Sequence, residues 1–464
     1  MKHLKITLVD PGLGEKSFGS FGSSHWTSIN HEGLCFLSAC AKADGFGDCD
    51  LIDVRKLRSW KAFQEALTVR HPDVIGFTIR SYDYSFVMRA IEIVKAIDER
   101  IIVVVGGVHP TIATEDVVRQ SMIDYIVTGE GEISFVALLN DIASRGRGKE
   151  RLMRGIAPDL DSLPYEDREL YPYRTIINRP NYSGIFKAPM VTLLASRGCL
   201  YNCNFCQPGG RLLFGKGVRY RSVDNVIGEL RMLRDRYDFR SFKFYDYSFV
   251  SNPGWVEEFC HKYREQGFTA AFLCQARADQ ICANEHAIRM LSEIGLTMVI
   301  IGLESGSQKM LNFLQKGTTV EQNIASVAIC KKYKVRTVAN IMLGAPTETK
   351  EDVDKTVNMV RAIKPDIVSV SYYTPMPGSD LYEYCVAHGL SLLKDDNDLT
   401  TAPNKPKIKG IDYNVLDKAT TEIMGMRFHS KIAGAIIRAL YIKTKNFPAV
   451  RRFLVFWYTK WVGR

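Results

Sequence analysis

Short apolar runs alternate with helical stretches along most of this chain, and that alternation constrains the fold more than any other feature. Apolar runs at residues 6–9, 51–54, 74–78, 101–105 and 125–128 are separated by stretches of helical spacing such as residues 85–97. A second series begins at Met190 and continues with runs at 241–246, 271–274, 297–302, 338–343 and 367–372. Helical patterns at 223–236 and 283–294 lie within it. Short, fully apolar strands separated by helices are the pattern of parallel sheets with covered faces. At 464 residues the chain has room for about two to three domains. The expected architecture is α/β. A doubly wound parallel-sheet domain spans residues 1–140, a linker 141–188, a partial (β/α)6 barrel 189–390 and a mainly helical region 391–464. The linker rests on charged runs and the turn-forming stretch PDLDSLPY at 158–165.

Ligands of parallel sheets sit beyond the carboxyl ends of the strands. In the first series those ends carry Asp10-Pro-Gly12, residues 78–81 ending in Ser81, Gly106-Gly107-Val-His109-Pro-Thr111 and Gly129-Glu130-Gly131. Glycine lets a backbone approach a bulky ligand closely, although each of these segments also reads as an ordinary turn. In the second series Asp246, Arg277, Glu304 and Asn340 fall at strand ends. A lone strand-end charge is an ordinary solvated loop residue; four on one rim form a candidate site.

The first strand of the second series runs into residues 196–207, SRGCLYNCNFCQ. Cys199, Cys203 and Cys206 are spaced C-x3-C-x2-C, and the next cysteine, Cys260, is 54 residues further on. Three thiolates hold three irons of a [4Fe–4S] cluster and leave the fourth iron open to a ligand. A structural zinc site is the competing reading, but it ordinarily takes two Cys pairs or a Cys pair with a His pair, and no His pair follows here.

Eleven cysteines in a chain of this length do not form the dense framework of a small disulfide-stapled protein. A reducing cytoplasm is expected. The start MKHLKITLVD is too short and strand-like for a signal peptide, and no apolar run is long enough to span a membrane. The net charge of +10 is concentrated: residues 427–464 hold nine Lys/Arg and no Asp/Glu. The basicity therefore belongs to the tail and does not mark a nucleic-acid groove.

With these motifs in place, the chain resembles the cobalamin-dependent branch of the radical S-adenosylmethionine (SAM) enzymes. The triad, Phe244-Tyr-Asp246, Gly302-Leu-Glu-Ser-Gly306, Lys316-Gly-Thr318 and Thr374-Pro-Met-Pro-Gly378 resemble the radical SAM core. The glycine motifs ahead of them resemble a cobalamin-binding domain. The resemblance covers roughly residues 1–390. It implies that Cys199, Cys203 and Cys206 bind three irons, while SAM chelates the fourth and is cleaved to a 5′-deoxyadenosyl radical. It places Phe205 near the adenine and Asp246, Arg277 and Glu304 around SAM. It gives Ser81, Gly106, Gly107, His109, Thr111, Gly129, Glu130 and Gly131 to the cobalamin edge. The Asp-x-His-x-x-Gly loop that supplies a cobalt ligand in other cobalamin domains is absent, so His109 is not expected to ligate cobalt. The expected activity is methylation of an unactivated carbon of an apolar or lipid-associated metabolite, with flavodoxin or ferredoxin as one-electron reductant.

Three alternatives remain open. One keeps the cofactors but catalyses ring contraction or oxidative cyclisation. Another is a tRNA methylthiotransferase, which needs a second cluster at Cys35, Cys40 and Cys49. The last is a non-catalytic cobalamin carrier with zinc at the triad. The tail, rich in Lys, Arg, Trp, Tyr and Phe, reads either as a helix lying on an anionic membrane or as a basic helix packed on the barrel.

Overall fold

The computed structural model describes residues 3–426, apart from 13–15, 24–28, 147, 149, 181, 183, 207–208 and 404. Two compact units emerge. Of the described residues, the first contains those up to 179 together with 209–221 and 394–399, and the second contains those of 180–206, 222–393 and from 400 on.

The first unit is built on strands β1 (Ile6–Asp10), β2 (Cys49–Asp53), β3 (Val74–Thr78), β4 (Ile102–Gly106), β5 (Tyr125–Thr128) and β6 (Leu152–Arg154). They form one parallel sheet in the order β2-β1-β3-β4-β5-β6. Strand alternation divides the core between the two faces. Val9, Ile75, Phe77, Val103, Val105 and Ile126 pack with Phe63, Phe86 and Val94 from helices Trp60–Arg70 and Tyr84–Ile97. Ile6, Leu8, Val74, Val104 and Val127 pack with Leu34, Leu138 and Leu139 from helices Glu32–Ala43 and Glu132–Arg145. Both faces are covered, which is why the strands read as unbroken apolar runs. The order reverses direction between β1 and β3, and such a reversal opens a crevice at the strand ends.

The second unit holds β7 (Met190–Leu193), β8 (Ser241–Phe244), β9 (Ala271–Ala276), β10 (Leu296–Glu304), β11 (Arg336–Leu343) and β12 (Ile367–Tyr372). These strands are parallel and lie in chain order, with β7 and β12 at opposite edges. That is the partial (β/α)6 arrangement expected from the sequence. An aromatic slab fixes one flank: Phe242 stacks on Phe272 with centroids 4.8 Å apart, and Phe244 on Phe249 at 4.2 Å. Burying each such ring contributes about 1.5–3 kcal/mol.

The structure adds elements beyond the sequence reading at two places. The helix expected at 283–294 is Glu285–Glu293, and a further helix, Ala278–Ala283, precedes it. Asn284 between them leaves helical geometry (φ −123°, ψ 44°), and its side chain donates to the Val250 carbonyl at 3.0 Å. Residues 141–188 are not wholly irregular: Leu152–Arg154 adds β6 beside β5, and Tyr173–Ile177 is helical. The expected helical character of residues 391–464 holds for Tyr413–Gly425, whereas the basic aromatic tail at 427–464 lies outside the described residues.

Candidate functional site

β7 ends at Leu193, and the chain continues through the short strand Ser196–Cys199 into the cysteine loop. Asp246, just past β8, holds that entry. One of its oxygens accepts the Ser196 hydroxyl at 2.5 Å and the other the Ala195 amide at 3.1 Å. Burial pushes the Asp246 carboxyl up to about 6, against these hydrogen bonds. With both oxygens engaged, Asp246 acts on the cysteine loop.

Within the loop, Cys199 and Cys203 are half-buried and Cys206 is exposed as a residue. Desolvation, and next the neighbouring Cys203 and Cys199 sulfurs, push the Cys206 thiol up to about 11. Among the described residues, no three Cys, His, Asp or Glu side chains converge on a single-ion site. Thiolates that ligate three separate irons of one cluster need not converge in that way. Phe205 lies in an apolar group with Met310, Leu314, Met342 and Tyr373.

Arg277, just past β9, also turns toward the loop. One terminal nitrogen lies 3.5 Å from the Cys203 sulfur, and the other donates to the Lys316 carbonyl at 2.6 Å. The guanidinium pairs with Asp279 at 3.0 Å and lies 3.3 Å from the Tyr201 ring centroid. Glu304, the last residue of β10, has φ +61°, a costly conformation for a residue with a side chain. A register shift between Gly302 and Glu304 accompanies it, and shifts of this kind re-aim side chains. Glu304 pairs with Lys316 at 3.2 Å. A Cβ on Gly302 would stand 2.5 Å from the Glu304 carboxylate and 3.0 Å from the Lys316 ammonium, so glycine leaves room for the pair. Asn340 is half-buried in β11, opposite Gly302 of β10.

Sequence reasoning missed Asn204. Its amide donates to the Leu314 carbonyl at 3.2 Å, its side chain to the Phe313 carbonyl at 2.7 Å, and its own carbonyl accepts the Leu381 amide at 2.8 Å. It pins the loop between Cys203 and Cys206 to two helix ends. Its place between two cysteines was the available signal. Lys316 was quoted only as part of a motif, yet it is buried and forms part of the site.

At the strand ends of the first unit, Gly107 follows β4 with φ +102°. A Cβ there would stand 2.8 Å from the Thr78 hydroxyl and 3.2 Å from the Ile79 amide. Thr111 donates to the Gly107 carbonyl at 2.8 Å and accepts the Gly129 amide at 2.9 Å, joining the ends of β4 and β5. Gly106 would bring a Cβ within 3.3 Å of the Val127 carbonyl, and Gly131 within 3.4 Å of Leu37. Buried Glu130 pairs with Arg219. His109 is buried, with Nδ1 3.3 Å from the Ser81 hydroxyl and Nε2 3.6 Å from Asp116. Burial pulls its protonation below the usual histidine range. Ser81 thus engages Nδ1, while Nε2 makes no hydrogen bond to the described residues. A buried ionic group was also missed: Asp10 accepts the Tyr171 hydroxyl at 2.9 Å and pairs with Arg55 at 3.1 Å. Burial raises the Asp10 carboxyl, but the Arg55 and Arg80 charges outweigh it, leaving Asp10 below its ordinary range.

Cys35 and Cys40 lie on helix Glu32–Ala43, Cys49 opens β2, and all three are buried. Burial pushes the Cys49 thiol up to about 11 and Cys35 well above its ordinary value. These are core thiols, unlike the electropositive environments that favour thiolates.

This geometry is accompanied by two family matches. Residues 30–139 match the B12-binding domain, and residues 193–360 the radical SAM superfamily. The chain is 29% identical over 435 residues to an uncharacterized methyltransferase of Pyrococcus horikoshii, covering 90% of this chain and 91% of the relative. It is 28% identical over 367 residues to the anaerobic magnesium-protoporphyrin IX monomethyl ester cyclase of Rubrivivax gelatinosus, covering 75% of this chain and 65% of that longer protein. Its fold is similar to that of the radical SAM methyltransferase TsrM from Kitasatospora setae, solved with cobalamin and a [4Fe–4S] cluster. There the TM-score is 0.62 at 17% identity, covering 82% of this chain and 74% of that one.

The chain belongs to the cobalamin-dependent radical SAM enzymes. Its cofactors are accordingly a [4Fe–4S] cluster, SAM and cobalamin. The triad sulfurs and the glycine-lined ends of β4 and β5 fit these groups. No described helix is long and apolar enough to cross a membrane.

Proposed function

We propose that the protein is a cobalamin-dependent radical SAM methyltransferase acting on an unactivated carbon of an apolar or lipid-associated metabolite. The observation that carries methyl transfer is the match over nine-tenths of both chains to a protein described as a methyltransferase. When bound, the cluster, SAM and cobalamin would supply one-electron cleavage of SAM to a 5′-deoxyadenosyl radical and a transferable methyl group.

The chain's own residues bind and orient. Cys199, Cys203 and Cys206 hold three irons. Asp246 fixes the entry to their loop through Ser196 and Ala195, and Asn204 fixes its middle. Glu304 and Lys316 place an opposed pair of charges beside the loop, suited to a ligand carrying both signs. In the first unit, Gly106, Gly107, Thr111, Gly129, Glu130 and Gly131 shape the cobalamin edge, Ser81 and His109 line it, and His109 does not ligate cobalt. The reductant is a flavodoxin or ferredoxin, and no nucleic acid takes part. The lipid-associated substrate rests on the basic aromatic tail, which would hold the enzyme at an anionic membrane from the cytoplasmic side.

A second reading has a specific relative behind it: cyclisation without methyl transfer, as in the activity named for the Rubrivivax protein. SAM labelled in its methyl group separates the two. Label in the product supports methylation, and label recovered only in methionine supports cyclisation. Replacing all three cysteines with alanine is expected to abolish iron binding; an iron-replete triple variant would refute the ligand assignment. In flotation, the full chain is expected to rise with anionic vesicles and not with zwitterionic ones. Equal behaviour with both would remove the membrane placement.

A further inference from the structure

We infer that Arg277 is a positioning residue for the cluster: it hydrogen-bonds the Cys203 sulfur and raises the potential at which the cluster accepts its electron. The inference rests on the cluster being held by the triad, as proposed above. Two observations carry it. The first is contact: one terminal nitrogen of Arg277 lies 3.5 Å from the Cys203 sulfur. The second is rigidity. The guanidinium is buried and held on its remaining sides by the Lys316 carbonyl at 2.6 Å, the Asp279 carboxylate at 3.0 Å and the Tyr201 ring. A planar fork fixed by several partners keeps its last N–H aimed, which a flexible ammonium cannot do.

Reduction adds one negative charge to the cluster and its thiolates. A cation donating a hydrogen bond to a ligating sulfur stabilises the reduced state more than the oxidised one, because it interacts with the larger negative charge. Hydrogen bonds to cluster sulfurs are a recognised determinant of potential. Asp279 offsets part of the charge but leaves the N–H donor in place. The Lys316 carbonyl shared with Arg277 also ties the loop to the Glu304–Lys316 pair, so one side chain fixes both the sulfur and its neighbour.

The test compares wild type with Arg277→Lys and Arg277→Gln, each reconstituted anaerobically. Iron is counted, and the cluster potential is read by EPR-monitored redox titration without substrate. Both variants are expected to retain about four iron per chain. In Arg277→Gln the reduced-to-oxidised ratio at a fixed potential is expected to fall about tenfold, 59 mV for a one-electron couple. Arg277→Lys is expected to fall between Gln and wild type. Full iron with unchanged potentials in both variants would overturn the inference while leaving the cluster assignment intact. Loss of iron from both would also overturn it, making Arg277 a structural anchor only. Should only the Gln variant lose iron, the Lys variant decides, a lowered potential supporting the inference and an unchanged one refuting it. Zinc in place of iron in wild type would instead refute the cluster itself.

Discussion

Glu348, in the turn after β11, shows how burial sets the chemistry of a single residue. It accepts the Gly344 amide, and burial, followed by the Asp352 carboxylate, pushes its carboxyl up to about 8. The native state therefore keeps a proton that the unfolded chain releases above its ordinary value of 4.5. Stability contributed by that proton is complete below pH 4.5 and is lost as pH rises toward 8, with a slope of at most about 1.4 kcal/mol per pH unit. Glu348→Gln keeps an acceptor for Gly344 without the titration. Urea unfolding at several pH values is expected to show a flatter decline for the variant than for wild type across that window. A second consequence concerns Asp246. Replacing it with alanine strands the buried Ser196 hydroxyl and Ala195 amide, at a cost of about 1–3 kcal/mol each, and is expected to lower both the melting temperature and the iron content. The cysteine spacing was legible in the sequence because it is local. Where Asp246 and Arg277 point was not, since their partners Ser196 and Cys203 lie 50 and 74 residues away.

At the scale of elements, strand ends do the placing. The runs at 74–78 and 125–128 coincide with β3 and β5, because buried strands leave an unbroken apolar signature, and 367–372 coincides with the edge strand β12 through its alternation of apolar residues and serine. The helix break at Asn284 left a weaker one, a single polar residue whose partner, Val250, is distant in sequence. The strained end of β10 at Glu304 was not readable at all, because a positive φ at a residue other than glycine is imposed by its surroundings. Gly107 tests the same logic in the first unit. Gly107→Ala meets the Thr78 hydroxyl and a φ that alanine resists. It is expected to cost about 1–3 kcal/mol in urea unfolding and to weaken cobalamin retention, read from the corrin absorbance after gel filtration. Unchanged stability would mean that the turn relaxes.

For the whole molecule, the order of the two sheets was legible, but the membership of short segments was not. Residues 209–221, shortly after the cysteine loop, and 394–399, far along the chain, both belong with the first unit. Asp396 accepts the Ser85 amide at 2.7 Å, at the start of helix Tyr84–Ile97. Such assignments depend on contacts over hundreds of residues, which periodicity does not encode. The account joins a cluster loop in one unit to a cobalamin edge in the other within a single enzyme, and its most direct test needs no substrate. Protein loaded with iron and cobalamin is incubated anaerobically with SAM and a one-electron reductant, and 5′-deoxyadenosine is measured. The account predicts 5′-deoxyadenosine from wild type and none from the variant lacking Cys199, Cys203 and Cys206. A fully loaded wild type that forms none, or a triple variant that forms as much, would contradict it.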